Sequence, residues 1–247
     1  TTNLRIGKQR IAWGTGFTWQ PTDYFNPTWG LVKGNEEEKG VVAVCFNTYW
    51  ADNSITLVGL PGQESALGFK VNRLIDRFDL SLTGFADNEQ QVLGISNSVD
   101  YHNLVVYTEN SFLFTDQKAD SWKGVVGANY MLAGERNGML RIEYYHNDGG
   151  YSDCFDNPQE VGQNMGRMME DYLSLGGNIN LNYQTTLGLN TIYNLADKSS
   201  MITSNFSYAG AKFKLVGEGL LTMGNEQSEF GNSVVKSRYN LKVIRYF

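Results

Sequence analysis

The chain has 247 residues, of which 41% are hydrophobic and 13% aromatic, with 27 glycines and 4 prolines. This composition excludes a disordered or collagen-like chain, and the length suits a single domain over residues 1–247. The formal net charge of −6 argues against a nucleic-acid partner, because binding to phosphates requires clustered Lys and Arg. The sequence has no run of roughly 20 apolar residues that would predict a membrane helix, and residues 1–10 do not resemble an export signal.

The dominant pattern along the chain is two-residue alternation, in runs of about ten residues separated by turn residues. This pattern predicts an all-β chain. Each predicted strand is close to the roughly 9–11 residues that a tilted strand needs to cross a bilayer. In chain order, the predicted strands lie near residues 3–13, 40–50, 53–60, 65–75, 78–87, 90–98, 102–115, 121–132, 138–147, 170–181, 185–194, 199–208, 211–222 and 234–247.

The connections between these strands alternate between tight and loose. The tight set lies at 51–53, 75–77, 98–103, 133–137, 184–185 and 209–211. The other set lies at 14–40, 61–64, 87–91, 116–121, 148–170, 196–200 and 224–233, and it contains every long loop. Short turns at one rim and long loops at the other are typical of up-and-down barrels of bacterial outer membranes. We therefore predict a transmembrane antiparallel β-barrel of about fourteen strands.

Alternation within the strands separates an apolar face from a polar one. In residues 138–147, for example, Leu140 and Ile142 alternate with Arg141 and Glu143. A soluble barrel would turn its apolar face inward and a membrane barrel would turn it outward, so alternation alone leaves the orientation open. Aromatics near the predicted strand ends favour the membrane case, because interfacial belts form there. These aromatics are Tyr49, Trp50, Trp122, Tyr130, Tyr144, Tyr193, Tyr208, Phe213 and Tyr239.

The last residues, SRYNLKVIRYF, resemble the closing strand of Gram-negative outer-membrane proteins. The resemblance implies that the barrel-assembly machinery reads the terminal Phe247. Arg245 occupies a position that is usually apolar or aromatic in that family.

A second resemblance joins RIGKQRIAWGTGFTWQPTDYFNP at residues 5–27 and YNLADKS at 193–199 to porin-like barrels that are longer than this chain. In those proteins the first motif occurs well inside the chain. The resemblance therefore implies that strands preceding residue 1 are missing, or that the chain is a natural short form. It indicates an outer-membrane localisation and no particular substrate.

Catalytic and metal chemistry finds little support in the sequence. His102 and His146, the two histidines, are predicted at opposite rims, which argues against a shared metal site or a triad. A lipase-like pairing of His146 with Ser152 is a weak match. Cys45 and Cys154 show neither metal spacing nor a disulfide framework. Gly14 and Gly16 precede no helix and no phosphate-loop pattern. We expect no enzyme activity and no cofactor.

The polar faces of the predicted strands carry the candidate site. Its predicted pore-lining residues are Lys70, Lys123, Arg141, Glu143, Lys212, Lys214, Glu218, Arg238 and Lys242, with Asp79 as a further acidic residue. In residues 3–13 the alternation of polar and apolar residues changes phase. Leu4 and Ile6 predict that Arg5 and Gln9 lie on the polar face. Ile11 and Trp13 instead predict that Lys8 and Arg10 lie there. A bulge would reconcile the two.

The predicted function is a passive channel for small hydrophilic solutes, mildly selective for anions, in contact with outer-membrane lipids. Fourteen strands should leave a narrow aqueous lumen, which the loops 14–40 and 148–170 are long enough to constrict. Helical spacing of apolar residues predicts a short helix within 158–173. The first alternative is a structural barrel plugged by its loops or by a partner protein in an export or electron-transfer assembly. The second is a soluble all-β binding domain. Homo-oligomerisation stays open.

Overall fold

The computed structural model describes residues 1–25, 40–62, 65–115, 120–134, 137–152 and 169–246. Within these ranges fourteen strands form one antiparallel sheet, in which each strand is paired with its neighbours in sequence. The strands β1 to β14 span Thr2–Gln9, Val41–Trp50, Asn53–Leu60, Ala66–Ile75, Phe78–Ala86, Gln91–Tyr101, Leu104–Phe114, Ser121–Leu132, Gly138–Asn147, Asp171–Asn180, Thr185–Asn194, Ser200–Ala209, Phe213–Met223 and Ser237–Arg245. Within the described residues, no helix is long and apolar enough to cross a membrane.

The prediction of an all-β chain with fourteen up-and-down strands is confirmed, and most predicted boundaries agree to within two residues. Three boundaries differ. β1 ends at Gln9, because the following residues leave the sheet; β6 continues to Tyr101; and β14 begins only at Ser237. The predicted helix within 158–173 lies largely outside the described residues, and its last three residues belong to β10.

Tight two-residue reversals join several neighbouring strands. Ala51, Asp76 and His102 have φ values of 46°, 54° and 58°, the left-handed conformation on which such hairpin turns depend. Because the order is up-and-down, all of these turns lie at one rim, here called the short-turn rim. The longer connections lie at the opposite long-loop rim. β1 begins and β14 ends at the short-turn rim.

One face of the sheet, the apolar face, exposes large hydrophobic side chains. The register aligns one row of this face across eight strands: Leu4, Phe46, Leu57, Phe69, Gly84, Leu93, Phe112 and Trp122. Leu67, two residues from Phe69 on the same face, is 71% exposed. The other face, the polar face, carries the buried residues of the sheet, among them Cys45, Ser96 and Glu143.

Charged residues on the apolar face are confined to the strand ends. They are Lys8 at the end of β1, Arg73 near the end of β4, Asp171 at the start of β10 and Arg245 at the end of β14. Asp171 accepts a 2.5 Å hydrogen bond from the Tyr144 hydroxyl. The central band of this face therefore carries no charged residue in the described strands.

Aromatic side chains flank this uncharged band near both rims. The register places eight of the nine predicted aromatics on the apolar face: Trp50, Trp122, Tyr130, Tyr144, Tyr193, Tyr208, Phe213 and Tyr239. Tyr49 is the exception, because it precedes Trp50 in an extended strand and so points to the polar face.

The two edge strands have no hydrogen-bonded partner on their outer sides within the described residues, and no pairing between β1 and β14 is present there. Their apolar side chains are correspondingly more exposed than those of interior strands: Ile6 is 74% and Leu241 73% exposed, against 46% for Ile142.

Candidate functional site on the polar face

A segment that follows β1 crosses the polar face of the sheet. We call residues 10–25 the crossing segment. Ile11, Trp13 and Trp19 within it are buried, as are Thr22 and Phe25. The β1–β2 register is uninterrupted from Thr2 to Gln9, so the predicted bulge is absent from β1. Ile11 and Trp13 lie beyond the strand and are buried as part of the crossing segment.

Glu109 of β7 anchors the crossing segment through backbone amides. Its side chain is fully buried and accepts hydrogen bonds from the N–H groups of Thr15, Gly16 and Thr22 at 2.6–2.8 Å. The Thr22 hydroxyl adds a fourth bond at 2.8 Å. Hydrogen bonds to an ionised acceptor are stronger than neutral ones, so four donors can offset the cost of burying this charge.

Glu143 of β9 is a second buried anchor, and it is one of the predicted site residues. Its two oxygens accept the N–H groups of Phe17 at 2.6 Å and Thr18 at 2.7 Å. The Tyr107 hydroxyl donates a third bond at 2.7 Å. Next to this anchor, the Thr18 and Ser174 hydroxyls lie 3.0 Å apart. Glu143 thus binds the middle of the segment, and Glu109 binds residues on either side of it.

Two aromatic groups fill the space around these anchors. Trp19 stacks on Tyr145 at 5.2 Å between ring centroids and lies 5.9 Å from the ring of Tyr172. Trp13 and Phe25 meet edge to face at 4.8 Å, over the strands near β4 and β5. Such pairs stabilise beyond the area that they bury.

Tyr24 completes the aromatic packing at the end of the crossing segment. Its ring lies 5.6 Å from that of Phe85 on β5. Burial raises the pKa of Tyr24 to about 12, so its hydroxyl remains protonated at physiological pH.

The glycines of the crossing segment allow its tight path. A Cβ at Gly16 would collide with the carbonyl oxygen of Trp19, and one at Gly14 would collide with the side chain of Gln20. On β4, a Cβ at Gly68 would lie 2.6 Å from Phe25 and 2.9 Å from Trp13. The sequence motif around Gly14 and Gly16, which matches no phosphate loop, is therefore explained by close packing.

The connection between β13 and β14 closes over the same region. Phe230 is fully buried in the cluster that contains Trp19. The Glu229 carboxylate accepts the Tyr172 hydroxyl at 2.9 Å and the Asn194 side-chain amide at 2.8 Å. The N–H of Glu229 in turn donates to Asp197 at 2.6 Å. Asn194 and Asp197 belong to the YNLADKS segment at 193–199, so this segment and the one at 5–27 both hold backbone against the polar face.

The polar face divides by height into two parts. Near the long-loop rim, the crossing segment and the β13–β14 connection bury most of the side chains of this face; this is the filled half. The open half is the part of this face that the crossing segment and the β13–β14 connection leave uncovered. It reaches from Arg238, beside the buried Leu220, to the short-turn rim, and its side chains such as Arg5, Asn205 and Lys242 are exposed. A cavity of about 430 Å³ lies beside Phe17 and Thr18 on strands β9–β14.

The predicted pore-lining residues follow this division. Eight lie on the polar face of the strands: Lys70, Lys123, Arg141, Glu143, Lys214, Glu218, Arg238 and Lys242. Lys212 lies in the turn before β13. Lys70 donates to the carbonyl oxygen of Trp13 at 3.1 Å, and the Arg141 guanidinium lies 3.4 Å from the ring centroid of Phe17. These two cations therefore contact the crossing segment.

Three residues that hold the filled half were not predicted from the sequence, namely Glu109, Trp19 and Glu229. β7 alternates weakly, since Val105 and Tyr107 share a face with Glu109 whereas Val106 and Asn110 share the other. Only the pairing register assigns the side of Glu109. The sequence signal for these contacts was the composition of residues 10–25. Large aromatic residues and glycines occur together there, although most of this range is predicted to be a loop.

The predictions about metal and catalytic chemistry concern isolated residues. His102 lies in the β6–β7 turn and His146 near the long-loop rim, as predicted, and the His146 ring lies 2.8 Å from Asp171. Among the described residues, no cluster of His, Cys, Asp and Glu could hold a metal ion. Cys45 is a buried free thiol, and Cys154 and Phe247 lie outside the described residues. Residues 14–25 of the predicted loop 14–40 lie against the polar face of the sheet, and residues 26–39 lie outside the described residues.

Comparison with known proteins adds no assignment. No protein-family model matches the chain, and no curated protein matches it significantly.

Proposed function

We propose that this protein is a β-barrel of a Gram-negative outer membrane, and that it acts as a passive channel for small hydrophilic solutes with a mild preference for anions. The observation that carries the proposal is the apolar face. Each large hydrophobic side chain left in water forgoes roughly 1.5–3 kcal/mol of burial free energy. A lipid environment removes that cost, and the absence of charge from the central band suits a hydrocarbon layer.

A sheet in a membrane requires partners for the unpaired backbone groups at the edges of β1 and β14. Unpaired backbone N–H and C=O groups cost several kcal/mol each in lipid, so β1 must pair either with β14 or with further strands. Strongly twisted sheets of more than about ten strands tend to curl, which favours closure of a fourteen-stranded sheet. Because Arg5 lies opposite Cys45 and no β1–β14 register is present, a cysteine at position 5 is combined in a Cys45→Ser background with cysteines placed in turn at Arg238, Asn240, Lys242 and Ile244 of β14. One of these pairs should form a disulfide if β1 and β14 are neighbours, and failure of every pair in an inserted protein would contradict direct closure.

The preference for anions follows from the charges of the open half. Arg5, Lys214, Arg238 and Lys242 lie on the polar face in this region together with Asp79, Asp100 and Glu218, so basic groups outnumber acidic ones. The carboxylates of Glu109 and Glu143 are buried under the crossing segment and are already bound by N–H donors, so they contribute less to the field in the open half. A basic surface within a low-dielectric wall raises the local concentration of anions, and salt weakens this effect.

Membrane insertion is tested first. The purified protein should migrate differently before and after boiling in detergent, and an epitope inserted in the 148–170 connection should label on intact cells, whereas one at 133–137 should not. Solubility without detergent would contradict the proposal, and the reverse labelling would invert the orientation.

Conduction is tested in planar bilayers. Replacing Lys214 and Lys242 together with Glu should move the zero-current potential toward cation selectivity. Arg73→Glu, on the apolar face of β4, is the matched control and should leave the potential unchanged. An unaltered ion preference in a conducting double variant would contradict the role of these lysines.

The filled half supports a second function, a plugged structural barrel. The aromatic packing around Trp19 and Phe230 would block passage if the crossing segment stays in place. Absence of conductance in an inserted protein, together with a partner that co-purifies from membranes, would favour this alternative.

A further inference from the structure

The cavity in the open half has a floor built from two aligned rows of polar-face residues. One row runs Arg141, Gly176, Asn190, Thr203, Leu220 and Arg238, from β9 to β14. The next row toward the short-turn rim runs Met139, Asn178, Gly188, Asn205, Glu218 and Asn240. The asparagine side chains lie over the glycines, because a Cβ at Gly176 or Gly188 would collide with the side-chain oxygen of Asn190 or Asn205.

Four polar groups of this cavity have no protein partner. Asn205, Glu218 and Asn240 lie directly opposite one another on β12, β13 and β14, and Arg238 is the adjacent polar-face residue on β14. All four line the cavity, and none of their side chains has a hydrogen-bond or ion-pair partner in the described part of the chain. Directly opposite side chains in antiparallel strands have Cβ atoms about 5 Å apart, so these groups can reach a single small molecule.

Arg141 is the β9 member of the first row, five strands from Arg238, and Phe17 of the crossing segment lies against it. Arg141 donates to Asn178 at 3.5 Å, and its guanidinium lies against the Phe17 ring, which fixes its position. Guanidinium groups only donate hydrogen bonds, and their planar forks fit carboxylates. The cavity lining thus holds two guanidiniums and one carboxylate, a net charge of one positive unit.

The remaining hydrogen-bond donors and acceptors of the cavity restrict the chemical class of its ligand further. Carboxamides both donate and accept, so the asparagines suit hydroxyl groups, which do the same. Glu218 can accept a hydroxyl proton while leaving the net positive charge for an anion. A neutral sugar would leave the guanidiniums without an anion, and an inorganic anion would leave the amides unmatched.

We propose that this cavity is a binding site for small hydroxylated monocarboxylates of the sugar-acid class. Arg238 binds the carboxylate, and Asn205, Asn240 and Glu218 on the same three strands bind hydroxyl groups, while Arg141, at the far end of the row on β9, adds to the positive field of the cavity. The inference rests on the proposed function in one respect: as a step in permeation, it requires that the open half communicates with solvent on both sides of the membrane.

Equilibrium binding to the detergent-solubilised full chain tests the site independently of conduction. Isothermal titration calorimetry with gluconate, glucose and sodium chloride should show gluconate binding at least roughly tenfold more tightly than glucose, as expected for one charge-assisted hydrogen-bonded pair. Equal affinities for gluconate and glucose, or no gluconate binding by the folded protein, would overturn the assignment.

Substitutions at two neighbouring residues should change the affinity for gluconate in opposite directions. Arg238→Gln should weaken gluconate binding about tenfold, whereas Glu218→Gln should strengthen it because a like charge is removed. Arg141→Gln provides a second cation variant in case Arg238→Gln folds poorly. Arg73→Gln, on the apolar face, makes the same charge change and should leave affinity unchanged. Unchanged affinity in both folded arginine variants would contradict the site.

The two proposals fail separately. A protein that conducts ions but binds no gluconate loses this site and keeps the channel function. A protein that binds gluconate but does not conduct keeps the site and loses the channel function.

Discussion

The filled and open halves of the polar face are built from the same strands, yet they differ in how their polar groups are satisfied. In the filled half, Glu109 and Glu143 are buried and bound by backbone N–H groups of the crossing segment. In the open half, Glu218 and Arg238 face a cavity without a partner in the described residues. Charged residues on the same face of the sheet therefore have different roles, depending on whether the crossing segment covers them.

The filled half should be the more sensitive of the two to loss of packing, and Trp19→Ala is expected to have the largest effect. Removal of this buried indole from its stack with Tyr145 should lower the free energy of unfolding by roughly 3–5 kcal/mol. Urea unfolding in detergent, followed by far-ultraviolet circular dichroism, measures this change. Tyr183→Ala, at a fully exposed site in the β10–β11 turn, should cost little. Similar losses in both variants would remove the distinction.

The buried carboxylates provide a second test of the difference between the filled and open halves. Glu109→Gln keeps the shape of the side chain, but it removes the charge and presents an amide donor to N–H groups that are themselves donors. We expect a loss of roughly 2–4 kcal/mol in the free energy of unfolding, since hydrogen bonds to charged groups are the stronger ones. Glu218→Gln makes the same change in the open half and should have a small effect on unfolding. A neutral Glu109→Gln would show that the crossing segment does not depend on this anchor.

Glycine substitutions should distinguish the polar face from the apolar face, with smaller losses of stability than those above. Gly68→Ala on the polar face would crowd Phe25 and Trp13, and overpacking of this kind costs about 1–3 kcal/mol. Gly217→Ala on the apolar face meets its nearest neighbour, Phe206, only at 3.8 Å, so it should be tolerated. Thermal unfolding of the two variants in the same detergent compares them. Equal midpoints would mean that the aromatics near Gly68 can yield.

The smallest effect is expected at a lysine of the open half. Lys214→Gln should change the free energy of unfolding by less than about 0.5 kcal/mol, because surface substitutions away from packed groups usually do. Urea unfolding of this variant sets the baseline against which Glu109→Gln is judged. A large loss would place Lys214 in an unrecognised structural contact.

Much of the sheet was predictable because its determinants are local. Alternation with a period of two assigns strands, and turn residues such as Asp52 and Asn103 mark reversals. In an up-and-down order each strand pairs with its neighbour, so correct strands give the topology almost directly. The strand 121–132 illustrates this, since its predicted and observed bounds coincide.

The filled half was less predictable because its determinants are distant in sequence. Ile11 and Trp13 look like a continuation of a lipid-facing pattern, and only contacts with β4 and β5 show that they pack inside. Glu109 meets Thr15 across 94 residues, and no periodicity encodes such a contact. The open half was predicted better, because its exposed charges obey the alternation of their own strands.

The contacts of the crossing segment have a consequence for the order in which the protein folds. Neighbouring strands pair across short hairpins, so the sheet can grow from one strand to the next as the chain becomes available. The crossing segment is made early, but Thr18 contacts Ser174 across 156 residues, and Glu143 is separated from Phe17 by 126. Loop closure over such spans is slow. In pulsed hydrogen exchange, the amides of Thr15, Gly16 and Thr18 should therefore become protected after those of the hairpins.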